Sequence, residues 1–125
     1  MSDQSDYEKW LRSHLAASIA KGHKDPANLR ELLICTTLRT TVADAEAYFV
    51  AQHQDPSLVE TLIKIALEGE DAGDAPWAAA NVLVDFPSPM LRKHQAALQK
   101  LASHPWAYLS EPAKKALEKI ISDDP

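Results

Sequence analysis

The chain has only three glycines among its 125 residues. That leaves little material for β-hairpin turns or for a loop whose backbone cradles phosphate. It has one cysteine, Cys35, so no internal disulfide can form, and a reducing compartment is expected. No apolar run approaches the ~20 residues that a membrane-crossing helix needs, and no membrane association is expected. The opening stretch MSDQSDYEKW lacks the basic and apolar regions of a secretory signal, so a cytoplasmic protein is expected. Nowhere do β-branched residues alternate with polar ones over the length of a strand. Alanine and leucine, both strong helix formers, are plentiful instead. The expected fold class is all-α, in a single domain spanning residues 1–125.

Positive charge is scarce in one place only. Residues 41–85 carry nine acids and a single base, Lys64, a balance of −8, whereas residues 1–40 balance at +1 and residues 86–125 at +2. The overall charge of −5 is therefore concentrated in the middle third. Such asymmetry bears on partners rather than on fold.

Prolines punctuate the chain. Asp25-Pro26, Asp55-Pro56 and Ser88-Pro89 each set a capping side chain before a proline suited to the first helical position. Asp74-Ala75-Pro76 and Ser110-Glu111-Pro112 repeat the signal with one residue inserted, while Ser5 with Glu8 and Thr41 with Asp44 have capping-box spacing. Seven helices are expected, at 5–21, 26–38, 41–53, 56–68, 75–86, 89–103 and 110–122. Apolar stripes support them: Tyr7, Leu11, Leu15 and Ile19, with Trp10 beside them, then Leu58, Leu62, Ile65 and Ala66, then Leu91, Leu98 and Leu101.

The helices also repeat. Pro26, Pro56 and Pro89 open successive units. Val42, Ala45, Glu46 and Phe49 align with Trp77, Ala80, Asn81 and Val84, and these with Ala113, Ala116, Leu117 and Ile120. A period of about 35 residues is typical of stacked helical arrays. The expected units are antiparallel helical pairs at 26–53, 56–86 and 89–122, with 5–21 as a capping helix. Val42, Ala45, Phe49, Trp77, Ala80, Val84, Ala113, Ala116, Leu117 and Ile120 are expected to face the core.

The segments APWAAANVLVDF (75–86) and EPAKKALEKI (111–120) resemble second helices of HEAT repeats, and over residues 26–122 the chain is similar to a short HEAT-like α-solenoid. The regular basic residue of that pattern is missing, since only Lys114 and Lys115 can supply it. An irregular helical bundle is the alternative fold.

Chemistry-bearing motifs are few. EGEDAGD (68–74) is acidic, but its carboxylates lack the alternating spacing and closing glutamate of a calcium loop. A general acid–base pair needs a walled pocket that splits two pKa values, which a glycine-containing turn does not provide. His14, His23, His53, His94 and His104 show no metal-ligand spacing. No metal or cofactor is expected. Cys35 lies in an apolar helical run and reads as a buried, inert thiol. Trp77 reads as core packing and Trp106 as a loop anchor, although either can serve a partner. A basic stripe for nucleic acid is missing, and Lys114, Lys115 and Lys119 read as a small solvated face.

Protein binding remains. A small, acidic, helical chain of this kind resembles bacterial immunity proteins of toxin–immunity pairs, of the contact-dependent inhibition type, some of which have HEAT-like folds. That resemblance implies a non-enzymatic inhibitor that occludes a cationic toxin domain, a nuclease, in a stoichiometric complex. The partner-binding residues expected are Asp44, Glu46, Glu70, Asp71, Asp74 and Asp85. Alternatives are a HEAT-like adaptor or scaffold, and a small helical enzyme using the carboxylates of residues 68–74.

Overall fold

The computed structural model describes residues 2–68 and 74–122, with side chains from Asp6 onward. Among the described residues there are eight helices and no strand: α1 (Ser2–Lys21), α2 (Pro26–Cys35), α3 (Val42–Ala51), α4 (Pro56–Ala66), α5 (Ala75–Val84), α6 (Ser88–Arg92), α7 (Gln95–Ala102) and α8 (Ala107–Ser122). None of these is long and apolar enough to cross a membrane. The chain divides into two compact units, residues 1–49 and 50–125.

In the first unit α1 packs on α2. Gly22 ends α1 with φ +82, and its N–H donates to the carbonyls of Ser18 and Ile19 (3.1 and 3.2 Å), as a left-handed glycine after a helix does. Asp25 caps α2 by accepting from Ala27 N (3.0 Å). Asn28 is buried because its amide donates to the carbonyls of Ser18 and Gly22, which ties the start of α2 to the end of α1. The helix stops at Cys35 rather than residue 38. The Thr36 and Thr37 hydroxyls turn back onto the Leu33 and Ile34 carbonyls, both at 2.6 Å, and such local bonds compete with helix propagation. Thr41 precedes α3 as expected, but its buried hydroxyl donates to the Cys35 carbonyl (2.8 Å) rather than capping α3.

The expected face of α1 is corrected. Leu11, Leu15 and Ser18 are buried, whereas Tyr7 is 56% and Ile19 37% exposed. At 3.6 residues per turn each step of four advances about 40° around the axis. A row at 7, 11, 15 and 19 therefore winds through roughly 120°, and its ends leave the buried side.

In the second unit α4 packs on α5, α7 on α8, and α5 on α8, with α6 also against α8. Asp55 caps α4, accepting from Ser57 N (3.0 Å) and from its hydroxyl (2.6 Å). Helix α5 lies between α4 and α8 and is buried at Ala75, Ala78, Ala79, Ala80, Val82 and Leu83. Its near-continuous apolarity follows from having neighbours on two sides. The central aligned positions Ala45, Ala80 and Ala116 are at most 1% exposed. Phe49, Ala113 and Ile120 are buried too, while Val42, Val84 and Leu117 are half-buried.

In this unit two expected helices are reshaped. The span 89–103 is broken, because His94 leaves helical geometry (φ −118, ψ 26). Ser88 is the first residue of α6, and its hydroxyl donates to the Lys119 carbonyl (3.4 Å). Helix α8 begins at Ala107 and carries Pro112 inside it. The N–H groups of Leu109 and Ser110 donate to the Trp106 carbonyl (3.0 and 3.1 Å), adding a turn ahead of the proline. Ser110 is consequently buried within the helix rather than capping it.

Candidate functional site

Four of the six carboxylates expected to bind a partner lie among the described residues. Asp44 and Glu46 are exposed on α3, in the first unit. Asp74 and Asp85 are exposed at opposite ends of α5, about 16 Å apart at the helical rise of 1.5 Å per residue. Glu70 and Asp71 lie outside the described residues. Among the described residues, none of Asp44, Glu46, Asp74 and Asp85 has a cation within salt-bridge reach; ion pairs elsewhere include His14–Glu31, Lys64–Glu60 and Lys114–Glu111.

Asp74 stands in the capping position of α5, but its side chain makes no capping hydrogen bond. The inserted Ala75 moves proline to the second helical position and deletes the donor that Asp25 and Asp55 use. The backbone differs accordingly: ψ is 117 at Asp25 and 101 at Asp55, but −13 at Asp74. The expected cap is therefore corrected.

What surrounds Asp74 was not expected. Together with Trp77, Trp106 and Tyr108 it lines an open cleft of about 220 Å³. Trp77 is the third residue of α5 and is 37% exposed, and Tyr108 is the second residue of α8 and is 62% exposed. The expectation that Trp77 faces the core is corrected: α8 begins one turn early, and the cleft between the two helix starts leaves the indole open. Trp106 and Tyr108 meet edge to face, with centroids 5.4 Å apart at 81°. The Trp106 backbone N–H donates to His104 Nδ1 (3.0 Å), which fixes the approach to α8. Beyond Trp77 and Tyr108 a second cleft of about 310 Å³ continues past Asn81, Glu111 and Lys115. Trp106 was legible as an anchoring aromatic in a loop; Tyr108 carried no sequence signal.

Asp85, at the other end of α5, belongs to a different setting. His53 packs its ring on Phe86 (4.6 Å between centroids), and its Nε2 is buried with no hydrogen-bond partner among the described residues. Burial lowers the His53 pKa; Asp85 acts against that shift and Lys119 with it. Lys119 is half-buried, and its ammonium donates to the carbonyls of Val84 and Phe86 (3.1 and 2.8 Å). It thus holds the C-terminal end of α5, where a cation is favoured. This corrects the reading of Lys119 as part of a solvated face; Lys114 and Lys115 are exposed.

In the first unit Tyr7, Trp10 and His14 stack in series along α1 (6.3 and 5.2 Å), and His14 Nε2 lies 3.0 Å from Glu31. His23 Nδ1 meets the Tyr48 hydroxyl at 2.8 Å. Cys35 is buried, and burial, the largest effect, pushes its thiol pKa up. Among the described residues no three histidine, cysteine or acidic side chains gather where a metal could be held. Comparison with protein-family models, curated proteins and solved structures finds no match to this chain.

Proposed function

We propose that this is a protein-binding protein whose partner is basic, and that it acts as an immunity-type inhibitor, neutralising a cationic toxin domain, a nuclease, by occluding it. The observation that carries this reading is the mouth between α5 and α8, where the Asp74 carboxylate, with no cation in salt-bridge reach among the described residues, stands among Trp77, Trp106 and Tyr108. Exposed tryptophan and tyrosine around a cleft are the residue types that dominate binding energy at protein interfaces. The −8 balance of residues 41–85 gives long-range attraction for a cationic surface. The aromatic cleft supplies the contact, and the carboxylates supply sign and speed.

A short HEAT-like stacking of helical pairs is the architecture proposed for the chain, supported by the burial of Ala45, Ala80 and Ala116 in one register and by the packing of α5 on α8. The same packing favours a second reading, an adaptor or assembly scaffold. The test is co-purification of the tagged full chain from its native cells, with mass spectrometry and an activity assay of the captured protein. The inhibitor reading expects one basic protein at fixed stoichiometry, its activity abolished by one equivalent of this chain. A basic partner whose activity is untouched supports the adaptor. A partner with no cationic surface overturns both versions of the charge argument.

A further inference from the structure

The cleft at the starts of α5 and α8 is small. Its volume of about 220 Å³ falls below the ~300–1,000 Å³ of pockets that enclose a drug-sized molecule. It suits a single side chain. Among the described residues its lining is three aromatic rings and one carboxylate, and that combination selects a cation: the ring faces attract positive charge, and Asp74 has no cation in salt-bridge reach among the described residues. Trp106 and Tyr108 stand nearly perpendicular, so a flat group lying on one ring meets the other edge-on.

Two features oppose a cation and have to be weighed. The N-termini of α5 and α8 both open here, and each carries roughly half a positive charge. Asp74 in the capping position of α5 offsets one of them with a full negative charge. The sequence supplies three further acids within the preceding six residues, Glu68, Glu70 and Asp71, and no base. In sequence, then, acids without a base precede Asp74, within the −8 balance of residues 41–85.

We infer that this cleft is a binding site for an arginine side chain of the partner, its guanidinium stacked on the aromatic rings and paired with the Asp74 carboxylate. Arginine fits better than lysine for two physical reasons. The guanidinium is planar and weakly hydrated, so it can lie on an indole in a half-open cleft at little desolvation cost, and its fork of N–H donors matches a carboxylate. An ammonium is compact and strongly hydrated, and it gains less from a ring face that water still reaches.

This inference rests on the proposed basic partner, but it can be tested without one. Tetraarginine is titrated into the full-length protein while the indole N–H signals of its three tryptophans are followed by NMR. Tetralysine, of equal charge, and tetraglutamate are titrated in parallel. Trp10, on α1 and outside the cleft, is the internal reference. The expected result is a saturable shift of the Trp77 and Trp106 signals with tetraarginine, a flat Trp10 signal, weaker binding of tetralysine, and no effect of tetraglutamate. Asp74→Asn and Tyr108→Ala should each weaken tetraarginine binding about two- to fivefold, the equivalent of one exposed cation–π or ion-pair contact, with unchanged melting temperature. Should one variant unfold, the other still carries the test.

Equal binding of the two cationic peptides, or equal movement of all three tryptophans, reduces the effect to general charge attraction and overturns the site. Binding of tetraglutamate overturns it in favour of a carboxylate held by the helix N-termini. If a basic partner is captured but ignores both variants, the arginine site falls and the proposed function stands; if tetraarginine binds as expected but no basic partner exists, the reverse holds.

Discussion

A single inserted alanine separates two fates of the same side chain. Asp25 and Asp55 stand directly before proline, so the second helical residue offers its N–H, and both carboxylates accept it. Asp74 stands one residue further back, proline occupies that second position, and no cap bond forms. Asp55→Ala is therefore expected to destabilise the protein by about 1 kcal/mol, while Asp74→Asn leaves its stability nearly unchanged; denaturant unfolding of the two variants checks the contrast. His53 adds a dependence on pH. Its pKa is lowered in the folded chain by burial beside Phe86, so the unfolded chain binds the proton more readily. Stability is then full above the ordinary histidine value of ~6.5 and falls as pH drops from there towards the lower, folded pKa. Of the charged groups acting on the ring, Asp85 works against this loss and Lys119 adds to it. In His53→Phe the ring contact is kept and the unpartnered nitrogen removed, so the melting temperature should decline less between pH 7 and 5 than in wild type. An equal decline would assign the pH dependence to other groups.

At the scale of whole helices, legibility followed range. The starts of α2 and α4 were readable because a cap is a contact between residues two apart. The break at His94 was not, since Leu91 and Leu98 are buried on both sides of it and periodicity runs through unbroken. Pro112 misled in the other direction. Proline at the first helical position is a preference, and the extra turn from Ala107 is built on bonds to the Trp106 carbonyl that no local pattern announces. The candidate site depends on that turn, which brings Tyr108 beside Trp77. Burial of an aromatic is decided by which distant helix covers it, so Trp77 read as core and proved half-open. The burial of the alanines was legible because close approach of helices demands small residues, and α5 supplies Ala78, Ala79 and Ala80 in succession. Ala80→Trp should overpack that contact and cost on the order of 1–3 kcal/mol, seen as a lowered denaturation midpoint. Lys119→Met keeps most of the stem and removes the two charged hydrogen bonds to the end of α5. Its expected cost is about 1–3 kcal/mol, and a neutral result would mean that water serves those carbonyls equally well.

For the molecule as a whole, the proposed function gives the acidic middle third and the aromatic cleft separable contributions to binding. Exposed carboxylates act at a distance, and their influence is screened beyond ~8 Å at physiological ionic strength. They should govern how fast a basic partner arrives, whereas groups desolvated in the complex should govern how slowly it leaves. Asp44 and Glu46 lie on α3, Asp74 and Asp85 at the two ends of α5, and Glu70 and Asp71 in the segment preceding Asp74, so charge reversal can sample them separately. Asp44→Lys with Glu46→Lys, and Glu70→Lys with Asp71→Lys, are each expected to slow association at low salt and to lose most of that effect in high salt. Trp77→Ala is expected to leave the association rate close to wild type and to raise the dissociation rate, with salt making little difference. Surface-based binding kinetics across a salt series, run against the captured partner, measures both. If the charge-reversed proteins associate at the wild-type rate in low salt, the negative charge of residues 41–85 is solvation and not steering. If Trp77→Ala dissociates no faster than wild type, the partner docks elsewhere on the chain, and the acidic residues that still matter in the salt series show where.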